Sequence, residues 1–317
     1  MKRLCFLVIC MSIIMGCSTS TSSTKALVDY VDPNIGTAHC RWFFYTPAAI
    51  PFGMAKLAPS TDAHLGNPGG WQAVGYDFRH TSIEGFANFH EFQVGGVVFA
   101  PTVGELQTVP GELENPDGGY RSRFDKKDEV AAPGYYSVLL KDYGVKAELT
   151  AMKRVGFHRY TYPKTELANL IFDIGNKQGE SGEVKDAEVQ YFEDGRVEGY
   201  VITSPVYVNI YQKGADVRMY FSAVLNKKPV QVGTFVKDVV NPGKHQEKGP
   251  GAGLYMTFST EEQEAVEVKV GLSYTSIENA RFNRETEAAD VTFDQAKKNA
   301  TDVWNESLSR IYVEGGK

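Results

Sequence analysis

Residues 135–162 read YYSVLLKDYGVKAELTAMKRVGFHRYTY, and three runs inside them decide the fold: YYSVLL (135–140), KAELTA (146–151) and RVGFHRYTY (154–162). Apolar residues alternate with polar ones, β-branched and aromatic side chains are frequent, and Asp142-Tyr143-Gly144 supplies a turn between the first two runs. A period of two with such residues marks strands. The pattern continues in LANLIFDI (167–174), AEVQYF (187–192), RVEGYVIT (196–203), VRMYFSA (217–223), GLYMTFS (253–259) and VEVKVGLSY (266–274). Glu193-Asp194-Gly195 and Lys213-Gly214 add turns. Strands spaced by about 8–12 residues predict an all-β chain, a large antiparallel two-sheet β-sandwich. The hydrophilic, Gly-rich segments 175–182 and 241–253 read as rim loops.

After Tyr274 the period changes. Ser276 to Arg284 suits a short helix, and Thr292-Phe-Asp-Gln295 is a capping-box signature for a longer one. Phe293, Ala296, Ala300, Val303, Trp304, Ser307 and Ile311 follow in steps of three and four, giving one apolar face. Residues 276–317 are therefore expected to form a C-terminal helical linker. Its apolar face either packs back on the sandwich or awaits a partner, and the second option predicts that the face is partly unsatisfied within this chain.

At the other end Lys2 and Arg3 precede an apolar run from Leu4 to Met15, too short to span a bilayer as a mature helix. Ile14-Met15-Gly16-Cys17 then resembles a bacterial lipobox. Residues 1–16 are expected to be a lipoprotein signal peptide and 17–24 a lipidated Cys17 followed by a flexible Ser/Thr tether, leaving 25–275 as the folded domain. The expected location is the cell envelope, by a lipid anchor in the periplasm or at the outer membrane. With Cys5, Cys10 and Cys17 so assigned, Cys40 alone remains, and no intrachain disulfide is expected. Net charge is −6. A mildly acidic surface excludes nucleic acid and a polybasic membrane patch as expected partners.

Residues 30–101 hold His39, His64, His80 and His90, two of the three tryptophans, and Cys40. Turn signals at Asp32-Pro33, Asn67-Pro68-Gly69-Gly70 and Gly95-Gly96 break the periodicity, so most of this segment is expected to be long loops. Its motifs carry a resemblance. Val31-Asp32-Pro33-Asn34-Ile35-Gly36-Thr37, Pro51-Phe52-Gly53-Met54, Leu57-Ala58-Pro59, Gly75-Tyr76, Gly85-Phe86 and the His90 segment resemble the opening of glycoside hydrolase family 92, exported calcium-dependent exo-α-mannosidases that invert anomeric configuration. The segment from Ser273 to Val313 resembles the exit from that family's N-terminal domain. The resemblance implies an N-terminal β-sandwich followed by an (α/α)6-barrel catalytic domain beyond residue 317, which would carry the general acid, the general base and most calcium ligands. No catalytic residue and no cofactor are then expected in this chain, and by itself it should not hydrolyse mannosides. The implied partners are a mannose-containing glycan and the barrel domain.

Trp71 sits among glycines in a hydrophilic loop, where its flat face suits the C–H face of a pyranose or, alternatively, anchors the loop. The resemblance implies the first role, an indole against the sugar next to the scissile bond. His90 and Glu91 are candidates for polar contacts to a sugar hydroxyl or at a domain interface. A metal site from His39, His80 and His90 has no compact ligand spacing to support it. Asp77, Glu84 and Glu91 show nothing that separates an inverting carboxyl pair from ordinary loop carboxylates. Departures from the family pattern occur at Ala38-His39-Cys40-Arg41-Trp42-Phe43-Phe44-Tyr45 and at Asn88-Phe89-His90-Glu91, and they bear on linkage specificity. An alternative from another class is a free-standing carbohydrate-binding or structural surface lipoprotein that binds glycan without cleaving it.

Overall fold

The structure is a computed structural model that describes residues 25–38, 47–62, 75–91 and 94–313. The signal segment, Cys17, His39, Cys40, Trp42, His64 and Trp71 lie outside the described residues.

Two antiparallel sheets face each other. One has seven strands in the order Ala58–Ser60, Gly85–Glu91, Val94–Val103, Thr165–Asp173, Ala252–Thr260, Gln231–Val236, Val239–Pro242. The other has nine, in the order Gln246–Lys248, Glu183–Tyr191, Val197–Ser204, Val217–Leu225, Glu264–Ser273, Val155–Tyr162, Val145–Ala151, Tyr135–Leu140, Glu129–Ala132. Alternation aims one face of each strand inward. In Glu264–Ser273, for example, Val266, Val268 and Val270 are buried and lie in the shared core with Phe86, Phe99, Phe172 and Phe221.

Within 30–101 the reading of Gly95-Gly96 as a turn is corrected here. Gly85–Glu91 and Val94–Val103 are strands within the seven-stranded sheet, and Gly95-Gly96 lies inside the second rather than at a turn. Both strands are covered on both faces, so their residues are apolar or small in succession and lack the alternation of a half-exposed strand. Val97 has φ 55° where the pairing is interrupted, with the register kept, between Ala87–Val98 and Phe89–Gly96. The side chain of Asn88 donates to its carbonyl at 2.7 Å, His158 Nε2 meets Asn88 Oδ1 at 2.8 Å, and Tyr160 Oη meets His158 Nδ1 at 2.8 Å. This buried polar chain joins the sheets. Burial lowers the His158 pKa to about 3, so the ring stays neutral, with one nitrogen donating and the other accepting.

Three α-helices occur among the described residues: α1 (Val206–Tyr211), α2 (Ile277–Ala288) and α3 (Phe293–Leu308). Ser276 caps α2, and Thr292 with Gln295 forms the expected capping box on α3. Both helices lie on the outer face of the nine-stranded sheet. Phe293 and Ala296 pack with Tyr135, Val155 and Phe157, Ala300 is also buried, and the Trp304 indole donates to Ala49 O at 2.7 Å. The first two turns of α3 are thus seated on the sandwich, in contrast to a face left waiting, and of the apolar residues from Phe293 to Val313 only Ile311, Tyr312 and Val313 are broadly exposed.

Helix α2 comes unusually close to the sheet. A Cβ on Gly271 would lie 2.1 Å from Ala280 O and 2.7 Å from Arg284 Cβ, so only glycine fits beneath the helix. Gly271→Ala should push α2 outward and cost about 1–3 kcal/mol. Chemical denaturation read by circular dichroism checks this; a change below about 0.5 kcal/mol would mean that the helix rides freely on the sheet.

Candidate functional site

Thr61 and Gly75 form the two sides of a neck. Thr61 N donates to Gly75 O at 3.1 Å, and Thr61 Oγ1 accepts from Asp77 N at 3.0 Å. The described residues on either side of segment 63–74 are thus tied to each other; the segment itself, with Trp71, lies outside the described residues. Ser60 O accepts from Glu84 N at 2.9 Å, which fixes the incoming arm to the two-stranded pairing of Ser82–Ile83 with Ser122–Arg123.

Buried charge holds the neck from behind. The Arg121 side chain is completely enclosed; Nη1 donates to Thr61 O at 2.7 Å and to Ser82 Oγ at 2.9 Å, while Nη2 donates to Glu84 Oε2 at 3.0 Å. Glu84 is therefore the counter-ion of a structural arginine. On the outgoing arm Arg79 makes a two-pronged contact with Asp77, at 3.0 Å and 2.7 Å. Burial opposes ionisation of Asp77, yet the Arg79 bonds and the nearby His80 hold its carboxyl below the usual range. His80 Nδ1 lies 2.9 Å from Thr61 Oγ1 and Nε2 lies 4.0 Å from Asp62 Oδ2, so the ring bridges both arms.

Tyr76 gives the outgoing arm a second anchor. Its hydroxyl donates to Glu129 Oε2 at 2.8 Å, Tyr136 donates to Glu129 Oε1 at 2.7 Å, and Lys126 completes the cluster at 3.0 Å. The Lys126 ammonium sits 4.5 Å from the ring centroids of Tyr76, Phe78 and Phe124. Burial of Lys126 lowers its pKa, with Glu129 acting in the opposite sense. Beside Phe78 a shallow cavity of about 340 Å³ opens against Asp32, Asn34, Ile35 and Gly36. The fold thus brings the Asp32–Gly36 turn to the base of the Trp71 loop although some forty residues separate them in sequence.

His90 and Glu91 end the Gly85–Glu91 strand and differ in placement. His90 is fully buried, and burial together with the Lys56 charge lowers its pKa to about 3, so it is a neutral ring inside the sheet. Glu91 reaches the surface and pairs with Lys56. The structure therefore separates the two side chains, one on each side of the surface. Arg121, Tyr76 and Glu129 were not legible as site residues in the sequence; Arg121 lies in a mixed polar run, Gly119-Tyr120-Arg121-Ser122, without periodicity. Among the described residues no group of three or more His, Cys, Asp or Glu side chains is arranged to hold a metal ion.

Sandwich and neck together define a β-sandwich module that presents loops from a rim. Residues 30–273 match the glycosyl hydrolase family 92 N-terminal domain, and the chain belongs to that family. A family 92 α-mannosidase from Bacteroides thetaiotaomicron is similar in structure, with TM-score 0.83 and 29% identity over 92% of this chain and 39% of that one. Its complex with mannoimidazole gives TM-score 0.81 and 29% identity over 90% and 37%. A family 92 inverting mannosidase of the same species shares the fold at TM-score 0.76 and 22% identity, over 93% and 38%. This chain therefore spans less than two fifths of the relatives it resembles. Comparison with curated proteins finds no match.

Proposed function

We propose that this chain forms one wall of the glycan-binding cleft of an exported α-mannosidase and packs against its helical catalytic barrel. The observation that carries the reading is the neck: an enclosed Arg121–Glu84 pair and the Thr61–Gly75 bond hold both ends of the loop bearing Trp71. Ends so fixed reduce the entropy that a segment between them would lose on closing over a sugar. Kinship with α-mannosidases, one of them bound to mannoimidazole, supports a mannose-containing ligand.

In this reading Trp71 covers the apolar face of the sugar beside the scissile bond, Glu91 accepts a hydrogen bond from a sugar hydroxyl, and neutral His90 supports the strand end from inside. The acid, the base and calcium belong to the barrel, and no step assigned to this chain uses them. The packing face has candidates too. Phe52 is 98% exposed with φ 58°, an unfavourable conformation for an aromatic residue, while Tyr30, Ile311 and Tyr312 line a groove of about 580 Å³ with Lys25, Leu27 and Leu308. Exposed apolar groups of this kind suit a protein partner. Cys17 would attach the assembly by lipid to the periplasmic side or the outer membrane.

Trp71→Ala, measured in an enzyme assembled from this domain and its barrel, tests the reading. Losing the indole contact should lower kcat/KM for mannobiose about 5- to 150-fold, equivalent to about 1–3 kcal/mol. An activated aryl mannoside depends less on its leaving-group contacts and should lose less. Equal losses on both substrates with a lowered melting temperature would assign Trp71 to loop anchoring and remove the central support for the proposal.

A further inference from the structure

The outer face of the seven-stranded sheet carries a second tied loop. Val109 O accepts from Tyr120 N at 2.8 Å and Pro110 O from Arg121 N at 3.1 Å, which closes residues 111–119 into a compact excursion. Its feet cross so tightly that a Cβ on Gly119 would lie 2.2 Å from Gly111 N. Between this loop, Asn176 and the hairpin tip at Lys237 lies a cleft of about 600 Å³. That size falls within the range of small-molecule sites.

The lining is built from beneath. Asn176 Nδ2 donates to Asp173 Oδ2 at 2.6 Å, and the buried Tyr120 hydroxyl donates to the same oxygen at 2.5 Å. The amide of Asn176 is therefore oriented, and its Oδ1 makes no hydrogen bond to another described residue. Lys237 adopts φ 55°, a left-handed conformation that costs a lysine energy, and is held there because its N–H donates to Gly251 O at 2.8 Å while its carbonyl accepts from Thr108 Oγ1 at 2.7 Å. Lys237 and Glu112 both line the cleft, yet neither forms an ion pair among the described residues. Asn115 adds a second amide, and Pro110 with Val109 supplies an apolar wall.

We propose that this cleft binds a neutral saccharide. One ammonium, one carboxylate and two amides offer donors and acceptors to several hydroxyls, and the Pro110 wall meets the C–H face of a pyranose. A polyanion would face Glu112, and an apolar ligand would leave the amides without hydrogen bonds. The choice of mannosides as first probes rests on the proposed function; the cleft and its chemistry do not.

Titrating the folded chain with methyl α-D-mannopyranoside and with α-1,2-mannobiose, followed by two-dimensional NMR, should give saturable shifts at the Asn115 and Asn176 amides in the millimolar range. Asn176→Ala should weaken binding by about tenfold. Lys237→Gly should weaken it similarly while leaving stability equal or higher, since glycine relaxes the left-handed backbone; a loss of binding there cannot be ascribed to unfolding. Trp71→Ala should leave the cleft shifts unchanged. If mannosides, maltose and cellobiose perturb only the neck residues Thr61 to Asp77, the cleft proposal falls while the Trp71 reading stands. If inorganic phosphate alone shifts Lys237 and Asn176, the cleft is an anion site and the proposal falls as well. Shifts at the cleft with none at the neck would support the proposal and count against the Trp71 reading.

Discussion

Glu84→Gln is expected to lower stability by about 3–5 kcal/mol, because it leaves the enclosed Arg121 guanidinium without the carboxylate that compensates its charge. For a domain of this size that corresponds to a fall of roughly 6–15 °C in melting temperature. The effect should be felt locally before the whole fold is lost. Arg121 also donates to Thr61 O and Ser82 Oγ, so hydrogen exchange at the Thr61 amide, bonded across the neck to Gly75, should accelerate more than exchange in the sheet core. The double variant Glu84→Leu with Arg121→Met removes both charges and should recover much of the loss. A single-variant cost below about 1 kcal/mol would show that other groups neutralise Arg121 and that the neck does not depend on this pair.

Acid should weaken the seat of α3 through Glu148. This carboxylate lies beneath the helix, accepts from Arg159 Nε at 2.9 Å and Nη2 at 3.1 Å, and accepts from Tyr135 Oη at 2.6 Å. Burial raises its pKa, but the Arg159 and Tyr135 bonds and the Arg159 and Lys146 charges outweigh it and bring the value from 4.5 to about 2. Because the folded value is the lower one, the unfolded chain binds more protons between about pH 5 and 2. The associated stability is present above the unfolded pKa and is lost as pH falls towards 2. A shift of that size corresponds to about 2–3 kcal/mol. Wild type should lose that much more than Glu148→Gln over this window, and parallel curves would exclude Glu148 as the acid-sensitive group. Arg159 also donates to Asp294 at 3.0 Å and covers the Phe293 ring at 4.2 Å, so the start of α3 should loosen first.

Several of these features were legible in the sequence and several were not, for identifiable reasons. Strands such as Val155–Tyr162 and Glu264–Ser273 announce themselves because one face meets the core and the other meets water or a helix, which produces alternation. Gly85–Glu91 and Val94–Val103 hide because both faces are covered, and glycines inside them imitate turns. The capping box of α3 is a local signal and was readable; its seat on Tyr135, Val155 and Phe157 is a long-range contact with no local trace. The family resemblance pointed to Trp71, but the residues that fasten its loop are Thr61, Tyr76, Glu84, Arg121 and Glu129, ordinary polar residues whose meaning comes only from folding. Asp32 to Gly36 reaches the same neighbourhood by the same route.

The contact between Val28 N and Asn305 Oδ1, at 3.0 Å, joins the first described turn of the chain to the last turns of α3. Strand pairing and the inter-sheet core lie elsewhere, so a pull applied between residues 25 and 313 would load this contact and the α3 seat before any ladder of sheet hydrogen bonds. The sandwich would act as a bystander to tension, with helix peeling as the yielding step. By the same geometry the unit can be spliced into a longer polypeptide at one spot, as a cassette, without rethreading its sheets.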